Sequence, residues 1–393
     1  MKKSIILAVL AFCAVSFSMA NELGAAPVAV LDSTVYDGIG VKNKEVFLYD
    51  AKGNLETQIN SHWGGTKWED DSKYEYAYDL KGNITLKAYA YYTSEGWEYS
   101  NKEEYAFDDN NNLTQVLFSN WNTSKNTWEM YNHDVYTYDV NGNLIQHIKG
   151  GWDGTDWINW DKHVYENDAR GNRIKEVYSW WSTADNAYKP SNTKTYAYDT
   201  NDRLTVMVES SYYDDAWHDL VKETYAYDEY GNHVKDEFFE VASDEWRPTI
   251  KVVREFDSDG NCTIMIQSNY NTTKSMYENS QKTEYVYTDG KLTSETSFYW
   301  SETKWIADMK SEFGYDVLGN LTKRQDFSWD IVGSIFELNG TNTYYYHYES
   351  PSSAICNTVP EATALKSVKV MRNGHVLIIR EGKAYDLNGK VVE

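Results

Sequence analysis

Tyr78-Asp79-Leu80-Lys81-Gly82-Asn83 is an aromatic residue followed by a tight turn, and the same stretch recurs along the whole chain. Other copies read Tyr49-Asp50-Ala51-Lys52-Gly53-Asn54, Tyr138-Asp139-Val140-Asn141-Gly142-Asn143 and Tyr227-Asp228-Glu229-Tyr230-Gly231-Asn232. The lead positions are 49, 78, 107, 138, 167, 198, 227, 256, 287 and 315, aromatic in all but Asn167, and Tyr346 closes the series without a turn behind it. Steps of 28, 29 or 31 residues make residues 49–346 one array of ten units. In the Asp-x-x-Gly-Asn turn Asp caps the backbone through its side chain and Gly supplies a positive φ.

Two further aromatics sit at set distances in each unit. Fourteen residues after the lead come Trp63, Tyr92, Trp121, Trp152, Trp181, Tyr212, Tyr270 and Trp329, with Val241 the non-aromatic case and Trp300 one residue early. Ten residues before the next lead come Trp68, Trp97, Trp128, Trp157, Tyr188, Trp217, Trp246, Tyr277, Trp305 and Phe336. The two are five or seven residues apart. A change of two keeps every side chain of a strand on its own face, whereas a change of one would invert half the unit. This tolerance belongs to β-hairpins.

The chain therefore reads as all-β: a ten-unit antiparallel β-hairpin array over 41–348, forming a long twisted or coiled meander sheet. Short connections make successive strands antiparallel neighbours. About twenty strands at ~4.8 Å would make a ribbon on the order of 100 Å before twist coils it. One face is expected to carry the lead aromatics and the residues two before them, such as Phe47, Tyr76, Tyr105, Tyr136, Tyr165, Tyr196 and Tyr225. Ile59, Leu117, Ile148, Val177, Val208 and Ile266 of the partner strands are assigned to the same face. Glu103, Asp134, Lys194 and Glu223 fall there too, and Glu75, Glu104, Glu284 and Glu312 on the opposite one. With charges on both faces, neither can line hydrocarbon as an outer-membrane barrel requires.

Residues 1–20 read as a secretory signal peptide: Lys2 and Lys3, an apolar run from Ile5 to Phe17, then the small-x-small site Ser18-Met19-Ala20. The run is shorter than the ~20 residues that span a bilayer, so the mature chain is expected to hold no membrane span. Residues 21–40 form a lead-in segment. The formal net charge is −23, which argues against nucleic acid and anionic lipid and suits either a cation-binding surface or plain solubility of a large sheet. After the signal only Cys262 and Cys356 remain, enough for one disulfide that no spacing specifies.

The Tyr-Asp-x-x-Gly-Asn core resembles the YD repeats of Rhs-type surface proteins, which implies long coiled β-sheets. Beyond Tyr348 a linker over 349–367 leads to a small C-terminal β tail, 368–393, with the hairpin turn Asn373-Gly374. Its Tyr385-Asp386-Leu387-Asn388-Gly389-Lys390-Val391-Val392 resembles the C-terminal sorting region of type IX secretion cargo in Bacteroidetes, which implies export to the outer surface. The same residues also echo the repeat, so an eleventh turn capping the sheet stays open.

Catalytic motifs are not evident: no Gly-x-Ser-x-Gly elbow, His-Glu-x-x-His, phosphate loop or Cys-x-x-Cys occurs, and the histidines share no repeat position. Asp257-Ser258-Asp259-Gly260-Asn261 starts like a calcium loop, but Ser268 stands where the twelfth-position Glu belongs. No cofactor or metal is expected. The loop aromatics remain as candidate ligand-binding residues: Trp63, Trp68, Tyr92, Trp97, Trp121, Trp128, Trp152, Trp157, Trp181, Trp300 and Trp305. Such rings either stack on a glycan or extracellular protein ligand, or staple the hairpin end shut. The expectation is a secreted or cell-surface, non-catalytic binding or structural module. The alternative is a carbohydrate-active enzyme with a carboxylate pair that no motif marks.

Overall fold

The computed structural model describes residues 28–349, 368–372, 375–380 and 383–385. The signal peptide, the linker from 350 onward, Cys356 and the Asn373-Gly374 turn lie outside the described residues.

Twenty-two strands run from β1 (Val28–Gly38) to β22 (Ile335–Glu349) in one sheet, each antiparallel to the next. Thus β2 (Val41–Tyr49) pairs with β3 (Leu55–Trp63), and β3 with β4 (Trp68–Tyr78). The repeat turn closes as its residues dictate. Asp79 Oδ1 accepts from the backbone N–H of Lys81 at 2.8 Å and of Asn83 at 2.9 Å, while Asn83 Nδ2 donates to Asp79 Oδ2 at 2.9 Å. Gly82 has φ +88° and a Cβ there would meet nothing, so the φ alone favours glycine, and Asn111 and Asp202 take the same place with φ +71° and +61°. Hydrogen bonds from the Asn side chain and backbone hold Asp50, Asp79 and Asp139 below the ordinary carboxylate value. Asp257 makes the same bonds, to Asp259 N and Asn261 N at 2.9 Å each, so the calcium-like stretch is a repeat turn.

The lead residue ties its unit to the neighbouring strand. Tyr78 Oη donates to the Leu55 carbonyl at 2.9 Å, Tyr138 to Leu113 at 2.9 Å and Tyr227 to Leu204 at 3.0 Å. Asn167 Nδ2 donates to the Leu144 carbonyl at 3.2 Å, which explains how an amide replaces the ring.

Two expectations are corrected. The first concerns the open ribbon: the sheet closes into a 22-stranded barrel. β1, inside the predicted lead-in of 21–40, pairs with β2 from Ser33↔Val46 to Gly38↔Val41 and also with β22. At the seam Ile39 N–H donates to the Asn339 carbonyl at 3.0 Å. Tyr36 fits only because its neighbours lack a Cβ: one added at Gly38 or Gly340 would lie 2.3 or 2.5 Å from its hydroxyl. Twist carries the ends of the meander round, and pairing them removes two exposed edges. β1 is not a repeat, so the periodicity carries no sign of closure.

The second correction concerns the faces. Ile59 lies opposite Val46 and Lys73, on the side of Trp63, and Gln58 is the partner of Phe47. Leu117, Ile148, Val177, Val208 and Ile266 are displaced in the same way. The partners on the tyrosine face are Val116 for Tyr105, His147 for Tyr136, Glu176 for Tyr165 and Met207 for Tyr196. The cause is a pair of β-bulges in each hairpin. Tyr49 faces Leu55 while Leu48 faces Thr57, leaving Glu56 unpaired. Asn60 faces Ser72 while Ser61 faces Asp70, leaving Asp71 unpaired. One extra residue resets the alternation of the strand that carries it. The loops do keep the even rule, with two residues between Thr93 and Gly96 and four between Asn122 and Thr127.

Burial is shallow. Among the described residues the buried apolar side chains are Ala88, Ala90, Val116, Tyr165 and Met207, and no large one is fully enclosed. A circumference on the order of 100 Å is too wide for side chains to meet across the middle. Cross-strand pairs therefore stabilise this sheet in place of a core. Charged side chains occur mid-strand on both faces of the closed sheet. Lys73, Lys102 and Lys222 lie mid-strand on one face, and Glu103, Asp134 and Glu223 on the other.

Burial on the tyrosine face pushes Tyr136 and Tyr196 up to about 12. Burial also raises Tyr105 and Tyr225, helped by hydrogen bonds to Glu103 and Glu223. A raised folded value favours the neutral phenol, so this stability is complete below pH ~10 and lost as pH rises toward the folded values. Absorbance at 295 nm should show a late-titrating tyrosine class that ionises together with loss of far-ultraviolet β signal. Titration of every tyrosine near pH 10 with the sheet intact would contradict it.

Considered by itself, the C-terminal tail is a three-stranded antiparallel sheet of β23 (Val368–Arg372), β24 (His375–Arg380) and β25 (Lys383–Tyr385). Arg372 opposes His375, as a two-residue connection requires.

Candidate binding surface at the loop rim

All repeat turns lie at one end of the barrel and all aromatic loops at the other. Within each unit the two loop aromatics are directly opposite, as in Trp63↔Trp68 and Trp121↔Trp128. Their rings meet edge to face: 5.4 Å at 73° for Trp63/Trp68, 5.0 Å at 76° for Tyr92/Trp97, and 5.1 Å at 68° for Trp121/Trp128. Trp152/Trp157, Trp181/Tyr188 and Trp300/Trp305 repeat this at 5.0, 4.8 and 4.9 Å. The eleven candidate residues thus fall into six staples, whose sixth pair is completed by Tyr188, spaced around one rim.

The second ring of most staples carries a further cover. Lys73 Nζ lies 5.2 Å from the Trp97 ring, Lys102 5.2 Å from Trp128, Lys222 4.7 Å from Trp246 and Lys282 5.4 Å from Trp305. Lys73 and Lys102 reach across an intervening strand where a small residue leaves a trough, whereas Lys222 and Lys282 cross Phe239 and Phe298 and lie over those rings too. Ala90, between Lys73 and Tyr99, and Ser119, between Lys102 and Met130, are both buried beneath this cover. In one unit the lysine is replaced by His133, stacked on Trp157 at 3.9 Å and 18°. There the small residue is Gly150, because a Cβ would lie 2.7 Å from His133 Nε2. Burial lowers the His133 pKa, which favours the neutral form of the stacked ring.

These covers separate the candidate residues. Trp68, Trp97, Trp128 and Trp305 have cations beside their rings, and Trp157 has an imidazole stacked on it. Trp63 is 40% exposed and Tyr92 50%, so the first ring of those staples offers surface to a ligand. Between consecutive loops Trp97, Glu98, Tyr99 and Trp121 line an open groove with Thr123 and Asn126. Tyr99 also packs against Trp128 at 5.5 Å and donates its hydroxyl to Glu75 at 2.7 Å.

Spacing did not single out Tyr99, Tyr131, Trp160 or Trp180, all exposed. Tyr131 and Trp160 are the unpaired bulge residues of their strands. The available signal was negative: an aromatic at that position occurs in these two units and in no other.

No protein-family model matches the chain, and no curated protein matches it. Among solved structures it is similar to TcdB2-TccC3, with 13% identity over 89% of this chain and TM-score 0.30. The chain spans only 18% of that one. It is also similar to a porin-like protein from Bacteroides uniformis, with 11% identity over 81% of this chain and 98% of that one, TM-score 0.27. A DUF3836 family protein from Bacteroides vulgatus covers 31% of this chain and 91% of its own, with 17% identity and TM-score 0.18. Likenesses this low carry no argument about function, which rests on the residues themselves.

Proposed function

We propose that the chain is an exported, non-catalytic β-barrel of the cell surface or extracellular space that binds polysaccharide along its loop rim. The observation that carries this reading is the groove between successive loops, where Trp97, Tyr99 and Trp121 converge with Glu98 and Asn126. Flat rings bind the apolar faces of sugars, and side-chain amides and carboxylates hydrogen-bond their hydroxyls. Similar loops repeated round a rim multiply weak contacts along a polymer. Neutral glycans suit the strong negative charge better than anionic ones.

Affinity electrophoresis of the purified chain through gels containing mixed-linkage β-glucan, xyloglucan, galactomannan or starch tests the reading. Retardation in at least one gel is expected. None in any gel sinks glycan binding, and turnover of a gel polysaccharide would favour the carbohydrate-active alternative. Proteolytic shaving of intact cells checks the location, with protection of the array as the contrary result.

A further inference from the structure

The repeat provides its own control: a feature shared by nearly all units serves the hairpin whatever else it binds, and one confined to a few units serves something more. The rim staples, absent only where Val241 faces Trp246, belong to the first kind. On the opposite, tyrosine face, units three to five depart from the pattern together. Tyr131 and Trp160 occupy bulge positions, where seven of the other eight units carry Asp71, Ser100, Ser191, Leu220, Thr249, Ser280 and Asn339 and the eighth has a wider irregularity at Ser297, Asp308 and Met309. On the strand between them Gly151 stands opposite Asn132, where the neighbouring units carry Asn120 and Trp180.

This glycine has a geometric purpose. A Cβ on Gly151 would lie 2.3 Å from Trp160 Cζ2 and 2.7 Å from its Nε1, so the indole rests directly on the glycine backbone. Tyr131 meets Trp160 at 6.2 Å and 71°, nearly perpendicular to it. Tyr131 is 53% exposed, Trp160 38% and Trp180, opposite Asp161 on the next strand, 47%. The result is a corner with an aromatic floor and an aromatic wall, open to solvent. Two acceptors flank it. Asn132 Oδ1, next to Tyr131, and Asp161 Oδ1, next to Trp160, are shielded from water and accept no hydrogen bond. Leaving such oxygens unpaired is unfavourable, and a hydroxyl donor removes that cost after a small side-chain rotation.

We infer that this corner is a second saccharide site: one pyranose ring stacks on Trp160 against Tyr131, and its hydroxyls donate to Asn132 and Asp161. It rests on the glycan-binding reading above but uses the other face of the sheet and none of the rim staples. The rim contacts a polymer at many weak places, whereas the corner binds a single residue and sets which sugar is preferred. A carboxylate acceptor beside the ring again selects neutral sugars.

The test uses the full mature chain in the same four polysaccharide gels, with Trp160→Ala, Trp160→Phe, Gly151→Val and Trp121→Ala variants whose melting curves are compared first. Trp160→Ala and Gly151→Val are expected to weaken retardation at least tenfold in the gel that retards the parent chain. Trp160→Phe, which keeps a flat ring, restores most of it, and Trp121→Ala leaves the corner's share intact. If Trp160→Ala and Gly151→Val are retarded like the parent while Trp121→Ala is not, the corner is overturned and the rim reading stands. No retardation of the parent in any gel overturns both.

Discussion

A mature chain lacking residues 28–38 is expected to lose its discrete size in solution and self-associate. In the intact barrel β1 pairs on both sides, with β2 and with β22. Its removal leaves two long rows of unpaired backbone donors and acceptors, each a template for another chain. The remaining strands cannot simply reclose. In an antiparallel meander β2 and β22 run the same way, so pairing them requires a parallel ladder offset from the existing hydrogen-bond pattern. Size-exclusion chromatography with light scattering should show high-mass species, and the urea midpoint should fall sharply. A truncated chain with the parent's mass and midpoint would mean that the seam contributes nothing. Gly340→Val offers a milder check, since its Cβ contests the space of the Tyr36 ring, and a smaller loss is expected.

The second large effect belongs to the staples. Trp128 meets Trp121 at 5.1 Å and Tyr99 at 5.5 Å, and Lys102 covers its ring at 5.2 Å. Trp128→Ala removes all three contacts and is expected to cost about 2–3 kcal/mol, from lost apolar burial plus the ring and cation terms. Opening of the 113–138 hairpin, followed by amide hydrogen exchange, should therefore speed up by roughly two orders of magnitude. A double-mutant cycle with Trp121→Ala should return a coupling of about 1 kcal/mol. The hairpin with Val241 opposite Trp246 has no ring pair, and Trp246→Ala there should cost less. Equal costs at both sites would show that the edge-to-face pair contributes nothing beyond area.

Strands, turns and staples were legible because each is local. Asp79 and Gly82 close their turn within five residues, and Trp121 finds Trp128 across a four-residue loop. The faces were not, because Glu56 and Asp71 look like ordinary strand residues. A bulge is decided by how the two strands accommodate twist, and it moved Ile59 and its equivalents to the other side. The same blindness hid Tyr131 and Trp160, whose places follow from that bulge. The eleven rim aromatics were found by period alone. Their differing cover was not, since Lys73 and Trp97 are brought together by an intervening strand that contributes only Ala90.

By itself the sequence determined the hairpin: its period, its turn chemistry, its paired loop aromatics and the antiparallel order of strands. Each depends on backbone preferences and contacts between residues near in the chain. Only the tertiary structure decided that the meander closes, which face each side chain takes beyond a bulge, and where lysines and glycines bring rings from different units together. Those outcomes depend on twist summed over many strands and on a first strand outside the repeat, and no single unit encodes either.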